Sequence, residues 1–192
     1  DRALKENPAA FDAHMRKAAA KRGKGDYAGA IHDHNAYLAR RPGSAQMFRL
    51  LATNHLHLGD IYNAQIYVAR AFQLEPNSSE NHRMRGLLEQ CAGNAAAAIA
   101  AQRKAVVTNP KPGRPIWLVL GALARRTGDT EALALFREVA RDWESEWAGF
   151  LGRYLLGEID ETALLKRASS GSIRAVRHQR SEAKYYIGMV QL

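Results

Sequence analysis

The sequence predicts an all-α fold of the α-solenoid class, in which antiparallel helix pairs stack one on another. Three sets of residues predict it, because each set recurs at a step of 34 residues. Proline recurs at 42, 76 and 110, glycine followed by Asp or Asn recurs at 25, 59 and 93, and small residues keep the same step. A repeat of this length corresponds to one helix–turn–helix unit, which buries its apolar face by stacking on a neighbour.

Each marker has a role at a helix end or at a helix contact. Glycine tolerates the left-handed conformation that ends the first helix, and the Asp or Asn after it can cap the second. Proline lacks a backbone N–H and disfavours helix in the residue before it, so it ends the second helix. Small residues let the two helices approach closely. The turn markers are Gly25-Asp26, Gly59-Asp60, Gly93-Asn94 and Gly128-Asp129, and the small residues are Ala18, Ala52, Gly86 and Gly121 in first helices and Ala30, Ala64 and Ala98 in second helices.

The helices follow in order from these markers. The first begins at Asn7-Pro8, where Asn can cap the helix and Pro suits its first position. The predicted pairs are 8–23 with 27–40, 45–58 with 61–74, 79–92 with 95–108, and 115–127 with 130–142. The predicted elements after them are helices at 144–156 and 160–168, a loop at 169–172, and a helix at 173–191 that is typical of the first helix of a further unit. We therefore divide the chain into an N-terminal extension (1–8), four helix pairs (9–142), and a degenerate pair with a capping or partial-repeat helix (143–192).

Length and composition limit the class of protein. With 192 residues, 46% of them hydrophobic, the chain can bury a substantial core. It has no run of about 18 uncharged apolar residues and no apolar signal core at its start, so we expect neither a membrane span nor a targeting peptide in this sequence. The single cysteine, Cys91, excludes an internal disulfide. The net charge of +9 favours acidic partners or anionic surfaces, and the compartment stays open.

The repeats resemble the tetratricopeptide repeat (TPR) family. Trp117 to Gly121 match its W-x2-L-G pattern, whereas His14 and His82 stand at the aromatic position of other units and Leu133 replaces a small residue. The resemblance covers roughly residues 9–142. It implies a right-handed superhelix whose first helices line a concave face, and a non-catalytic scaffold or adaptor that holds a protein or peptide partner there.

The resemblance also implies which residues line this groove. The implied positions are Met15, Ala19 and Arg22; Gln46, Arg49, Thr53 and Leu56; Glu80, Arg83, Leu87 and Gln90; and Leu118, Ala122 and Arg125. We predict that Arg49, Arg83 and Arg125 form a basic strip that receives carboxylates, because a guanidinium can donate two hydrogen bonds to one carboxylate. The alternative is that these arginines are solvated or paired within the protein. Thr53 and Leu87 stand where chaperone-tail-binding members carry clamp residues, so we do not predict chaperone-tail binding.

No catalytic motif, metal site or cofactor site is predicted. His32 and His34, like His55 and His57, are two residues apart, so they point to different sides of a helix, whereas metal pairs on one face need a spacing of three or four. We expect His34 and His55 to pack between helices instead. Cys91 has no histidine nearby in the sequence to activate it, so we do not predict a nucleophile.

A late helix carries a cluster of basic residues. Arg174, Arg177, His178, Arg180 and Lys184 crowd this helix, and positions 174, 177, 181 and 184 share a stripe. Nucleic acid or anionic lipid could bind here, but a solvated face is favoured because no stacking aromatic residues interleave. Six aromatic residues are expected to pack between helices, namely Trp117, Trp143, Trp147, Tyr154, Tyr185 and Tyr186. Alternatively, one of the last four is an exposed anchor for a partner.

A narrower resemblance covers residues 117–189. Their order of Trp-Leu, Trp, Tyr-Leu-Leu-Gly-Glu-Ile-Asp-Glu and Ser-Glu-Ala-Lys-Tyr-Tyr-Ile-Gly is similar to the C-terminal part of NlpI-like TPR lipoproteins. This resemblance implies a periplasmic, envelope-associated bacterial scaffold for proteases or peptidoglycan hydrolases, although the lipidated cysteine of that family is not in this sequence. A cytoplasmic TPR adaptor and a basic nucleic-acid-associated repeat protein are the alternatives. Association of copies through the apolar end faces of the stack also stays open.

Overall fold

The computed structural model describes residues 8–109, 113–143 and 147–191, with side chains from residue 14 onward. All regular structure in these residues is helical, as the sequence predicts. The chain divides into two compact units, Asp1–Asn94 (unit 1) and Ala95–Leu192 (unit 2). The boundary falls at the turn inside the predicted third helix pair, and each unit is described by itself.

Unit 1 contains five described helices that pack in chain order. They are α1 (Pro8–Gly23), α2 (Tyr27–Leu38), α3 (Ala45–His57), α4 (Ile61–Leu74) and α5 (Ser79–Cys91). Each helix packs on the next, and α3 also contacts α5, the first helix of the following repeat. The core uses the predicted small residues, because Ala18, Ala30, Ala52 and Ala64 are all fully buried. Unit 1 thus has the stacked first helices that a TPR groove requires.

Unit 2 is built around one central helix. Its described helices are α6 (Ala95–Thr108), α7 (Arg114–Thr127), α8 (Thr130–Ala140), a 3-10 turn (Arg141–Trp143), α9 (Trp147–Leu155), α10 (Glu161–Arg167) and α11 (Ile173–Gln191). Helix α7 packs on α6, α8, α9 and α11. Because it has neighbours on several sides, α7 is apolar around most of its circumference and buries eight of its residues.

The turns confirm the predicted roles of glycine and aspartate. Gly25, Gly59, Gly93 and Gly128 all have φ between 71° and 80°, the left-handed region in which glycine carries no steric cost. Asp60 caps α4 by accepting a hydrogen bond from the Asn63 backbone N–H at 3.1 Å. Asp26, Asp129 and Asp160 cap α2, α8 and α10 in the same way. Two predicted markers, the cap at Asn7 and the proline at 110, lie outside the described residues.

The last helix packs on several elements of unit 2. Helix α11 packs most extensively on α7 and also contacts α9 and α10. It buries Ala183, Tyr186, Ile187 and Met189 in the core of unit 2. This helix therefore contributes directly to the core of unit 2. In the part of the chain that the structure describes, no helix combines the length and apolarity that crossing a bilayer needs.

Candidate functional site

A surface groove in unit 1 contains most of the predicted partner-binding residues of this unit. Its volume is about 510 Å³, and α1, α3 and α5 line it. The lining residues are Arg22, Gln46, Arg49, Leu50, Thr53, Glu80, Arg83, Met84 and Leu87. Seven of these nine positions are among those that the TPR resemblance implies for the groove. The first helix of each repeat contributes a residue to the groove at each turn. The groove combines guanidinium groups with an apolar floor.

Arg49 is held by a hydrogen-bond network that the sequence analysis did not anticipate. Its Nη1 donates to the carboxylate of Glu75 at 2.6 Å and to the side-chain oxygen of Asn81 at 2.8 Å. Asn81 is fully buried, and its amide nitrogen donates to the backbone oxygens of Ala71 at 2.9 Å and Glu75 at 2.7 Å. The network joins α3, the end of α4 and α5. Arg49 therefore stabilises the walls of the groove and is not a free cation.

The other two groove arginines differ in the interactions that their guanidinium groups form. Arg83 forms an ion pair with Glu80 on its own helix, with Nε and Oε2 at 2.8 Å, and its side chain is 38% exposed. Arg22 is half-buried, and its Nε has no hydrogen-bond partner within the described residues. Three guanidiniums, at positions 22, 49 and 83, thus face two carboxylates, those of Glu75 and Glu80. The groove keeps an excess of positive charge.

The predicted residues on α7 have a different environment. Leu118 and Ala122 are buried in the core of unit 2 because α7 is surrounded by four helices. We therefore correct the prediction that they line an open groove. Arg125 is half-buried and stacks on Tyr154, with its Cζ 4.5 Å from the ring centroid. It belongs to unit 2, so the groove of unit 1 contains only two members of the predicted basic strip.

Two further predicted residues lie beside the groove rather than in its lining. Leu56 is half-buried against the core of unit 1. Gln90 is half-buried, and its side-chain oxygen has no hydrogen-bond partner in the described part of the chain. The TPR register did not include Leu50 and Met84, which form part of the floor. Their apolar character next to the predicted positions 49 and 83 is the pattern that identifies them.

The histidines take structural roles. His55 stacks on Tyr67, with centroids 5.3 Å apart, whereas His57 stacks on Tyr27 at 4.3 Å, so the two rings face different neighbours as predicted. His34 is 2% exposed, and its Nδ1 lies 3.0 Å from the Nδ2 of Asn54 across the α2–α3 contact. Burial lowers the pKa of His34 to about 4, and the nearby charge of Arg22 acts in the same direction. His34 is therefore neutral at pH 7.

Among the described residues, the remaining reactive groups are the Cys91 thiol and the side chains that can bind metal ions. Partial desolvation raises the pKa of the Cys91 thiol, which opposes formation of a nucleophilic thiolate. Among the residues the structure describes, no three His, Cys, Asp or Glu side chains are grouped so that they could hold a metal ion. The indole Nε1 of Trp147 donates to Glu182 at 2.8 Å, and Tyr186 is buried, whereas Tyr185 is half exposed. The aromatic residues of unit 2 mostly serve packing.

The helix pairs of this chain have a TPR-like repeat fold. Among solved structures, "Crystal structure of MamA" matches with a TM-score of 0.57 and 19% sequence identity, covering 91% of this chain and 92% of that chain. "Crystal structure of MamA protein" matches with a TM-score of 0.53 and 19% identity, covering 94% and 89%. MamA is a TPR-containing protein, so the likeness establishes the all-α repeat fold. No protein-family model and no curated protein matches the sequence.

Proposed function

We propose that this chain is a non-catalytic adaptor that binds an extended, carboxylate-bearing peptide segment of a protein partner in the groove of unit 1. The observation that supports this proposal is the groove itself, in which α1, α3 and α5 present arginines beside an apolar floor of Leu50, Met84 and Leu87. Apolar contacts supply binding free energy, and a few polar groups set the orientation of the ligand. The TPR-type fold supports a protein partner.

Arg22 and Arg83 are the residues that contact the carboxylate in this proposal. Arg22 lines the groove, and none of the described carboxylates forms an ion pair with it. Arg83 gives up an exposed ion pair with Glu80, which contributes little to stability and is therefore easily exchanged. Arg49 keeps its bonds to Glu75 and Asn81 and positions the walls. Two guanidiniums are thus accessible to one ligand.

The test is a comparison of two arginines on the same helix. Arg83 faces the groove, whereas Arg85 is 62% exposed outside the groove lining and is likewise near a glutamate of its own helix, Glu89 at 3.9 Å. Short peptides with free carboxyl termini would first be selected for binding to the folded chain. Their affinity for the parent and the variants would then be measured by fluorescence anisotropy. We expect Arg83→Gln to weaken binding about tenfold, roughly the 1.4 kcal/mol of one charge-assisted hydrogen bond, and Arg85→Gln to leave it unchanged.

Equal loss in both variants would contradict groove binding, since it would indicate a general charge effect. Selected peptides that bind Arg83→Gln as tightly as the parent would also contradict it. Circular dichroism of both variants checks that the helices stay intact. Amidation of the peptide's carboxyl terminus separates recognition of the terminus from recognition of an acidic side chain.

An envelope role is the narrower form of this proposal. It rests on the resemblance of residues 117–189 to NlpI-like lipoproteins, whose partners are proteases and peptidoglycan hydrolases. Affinity capture from envelope and soluble fractions, with the parent chain and with the Arg83→Gln and Arg85→Gln variants, tests it. We expect such an enzyme to be captured from the envelope fraction by the parent and by Arg85→Gln, but not by Arg83→Gln. Capture only from the soluble fraction would favour a cytoplasmic adaptor.

A further inference from the structure

A second cavity lies on unit 2, where α8, the 3-10 turn and α9 meet. Its volume is about 400 Å³, within the usual range for sites that bind small molecules. Its lining residues are Arg137, Ala140, Arg141, Arg153, Leu156 and Glu158. Three of the six are arginines, and one carboxylate accompanies them. Neither the TPR register nor the groove of unit 1 accounts for this cluster.

The three guanidiniums of this pocket carry unbalanced positive charge. Arg137 and Arg141 are four residues apart, a spacing at which like charges on a helical turn repel. Within the described residues, none of Arg137, Arg141 and Arg153 forms an ion pair with a carboxylate within 4.0 Å, and Glu158 forms none either. In unit 1, by contrast, Arg49 and Arg83 each have a glutamate partner. Arg137 and Arg141 are exposed and Arg153 is half-buried, so these arginines are accessible to an anion in the pocket.

Arg153 is oriented for such a ligand. Its guanidinium stacks on Phe150, with Cζ 4.2 Å from the ring centroid, and Arg167 lies 5.0 Å from the same ring. Stacking on the flat face restrains the guanidinium and leaves its in-plane N–H groups for hydrogen bonds. The Nε of Arg153 is buried without a partner in the described part of the chain. A ligand in the pocket would therefore bind the Nη groups of Arg153.

Helix dipoles account for only part of this arrangement. Arg137 lies in the last turn of α8 and Arg153 in the last turn of α9, where a positive charge interacts favourably with the free carbonyl groups. That effect explains one cation at each helix end. It does not explain why three arginines line one cavity.

We propose that this pocket binds a phosphate group in its dianionic form, either free or carried as a monoester. A carboxylate has two oxygens and one negative charge, whereas a phosphate dianion has three acceptor oxygens for the three guanidiniums, and its two negative charges balance the net charge of three arginines and Glu158. Ala140 and Leu156 form an apolar wall against which the carbon part of a monoester can lie. The negative charge of Glu158 repels a bound phosphate and limits its affinity.

The test uses inorganic phosphate and glycerol phosphate as probes of the full chain. Each is titrated by isothermal calorimetry at constant ionic strength, with chloride as the balancing anion. We expect saturable binding to the parent, at least tenfold weaker binding to an Arg137→Gln, Arg141→Gln double variant, and tighter binding to Glu158→Gln. The matched control is Lys104→Gln, Lys166→Gln, which removes the same charge from two exposed positions of unit 2 outside this pocket and should bind like the parent.

The outcomes separate the site from general electrostatics. Equal weakening in both double variants, or no binding above that in chloride, overturns the proposal. Weaker binding to Glu158→Gln overturns the assigned repulsive role of that carboxylate and with it the geometry of the site. Tighter binding of glycerol phosphate than of inorganic phosphate assigns the site to monoesters, and the reverse order assigns it to free phosphate. These results are independent of the peptide groove, which lies in unit 1.

Discussion

At the scale of single residues, buried polar groups determine what the groove of unit 1 can offer a ligand. Asn81 is fully buried, and its amide bonds to the carbonyl groups that end α4 while its oxygen accepts from Arg49. A buried amide stays in a core only when its hydrogen bonds are made. Arg49 is therefore part of the scaffold, and replacing it would change stability and binding together. For this reason Arg83 is the better position for a binding test.

His34 makes stability depend on pH. Its folded-state pKa of about 4 lies below the ordinary histidine value of 6.5, so between these values the unfolded chain binds more protons than the folded chain. The stabilisation is complete above about pH 6.5 and is lost as the pH falls towards 4. We expect the free energy of unfolding to drop by about 2 kcal/mol between pH 7.5 and pH 5. Urea unfolding at both pH values measures this drop.

Two histidine variants on the same helix isolate this effect. His34→Gln removes the titrating group, so its unfolding free energy should change less with pH than that of the parent. His32 is exposed on α2, and His32→Gln should behave like the parent. An equal pH dependence in all three proteins would show that other groups carry the effect.

At the scale of elements, α7 determines the architecture of unit 2. It buries apolar residues around most of its surface because α6, α8, α9 and α11 all pack on it. Gly121 permits the contact with α8, since a Cβ built there would lie 2.8 Å from two ring carbons of the fully buried Phe136. A small residue is thus required at position 121 because the ring of Phe136 packs against it.

Substitution of Gly121 by alanine tests this contact. Alanine has the higher helix propensity, by about 1 kcal/mol, yet we expect Gly121→Ala to destabilise the chain by about 1–3 kcal/mol through overpacking. Gly188 is the matched control, because it is also helical and no atom lies within 4 Å of its built Cβ. Gly188→Ala should be neutral or stabilising. Denaturant midpoints measure all variants.

A second substitution checks the assigned partner. Phe136→Leu should cost stability in the parent but less in the Gly121→Ala background, because the smaller side chain relieves the clash. Additive effects of the two changes would refute the Gly121–Phe136 contact as the cause.

At the scale of the whole molecule, each unit has its own hydrophobic core. The larger cluster of buried residues runs from Ala98 to Met189 and lies wholly in unit 2, whereas a smaller cluster from Ala52 to Leu88 lies wholly in unit 1. A unit with its own core can fold independently. Residues 95–192 therefore form a candidate independent domain.

Expression of residues 95–192 alone tests this independence. We expect the fragment to keep its helical circular dichroism and to unfold cooperatively, because its core is retained complete. The fragment 1–94 should unfold at a lower urea concentration, since its buried cluster is smaller. A fragment 95–192 without a cooperative transition would refute the assignment.

The sequence predicted the secondary structure because its determinants are local. Glycine at positions 25, 59, 93 and 128 adopts a positive φ just after the end of a helix, and Asp60 caps the helix that follows it through a bond to a residue three positions away. The observed helices accordingly begin and end within about three residues of the predicted positions. The TPR resemblance implied most residues of the unit 1 groove, because a fixed helical spacing presents them on one face.

By itself the sequence determined the all-α repeat, its turns and the helix faces of unit 1, since periodicity and short-range capping decide these features. Only the tertiary structure decided that Leu118 is buried, that α11 packs on α7, and that Arg49 is bound by Glu75 and Asn81. It also brought Arg137 and Arg153 to one pocket. These features join residues from different helices, and their distances follow from packing, which no spacing along the chain specifies.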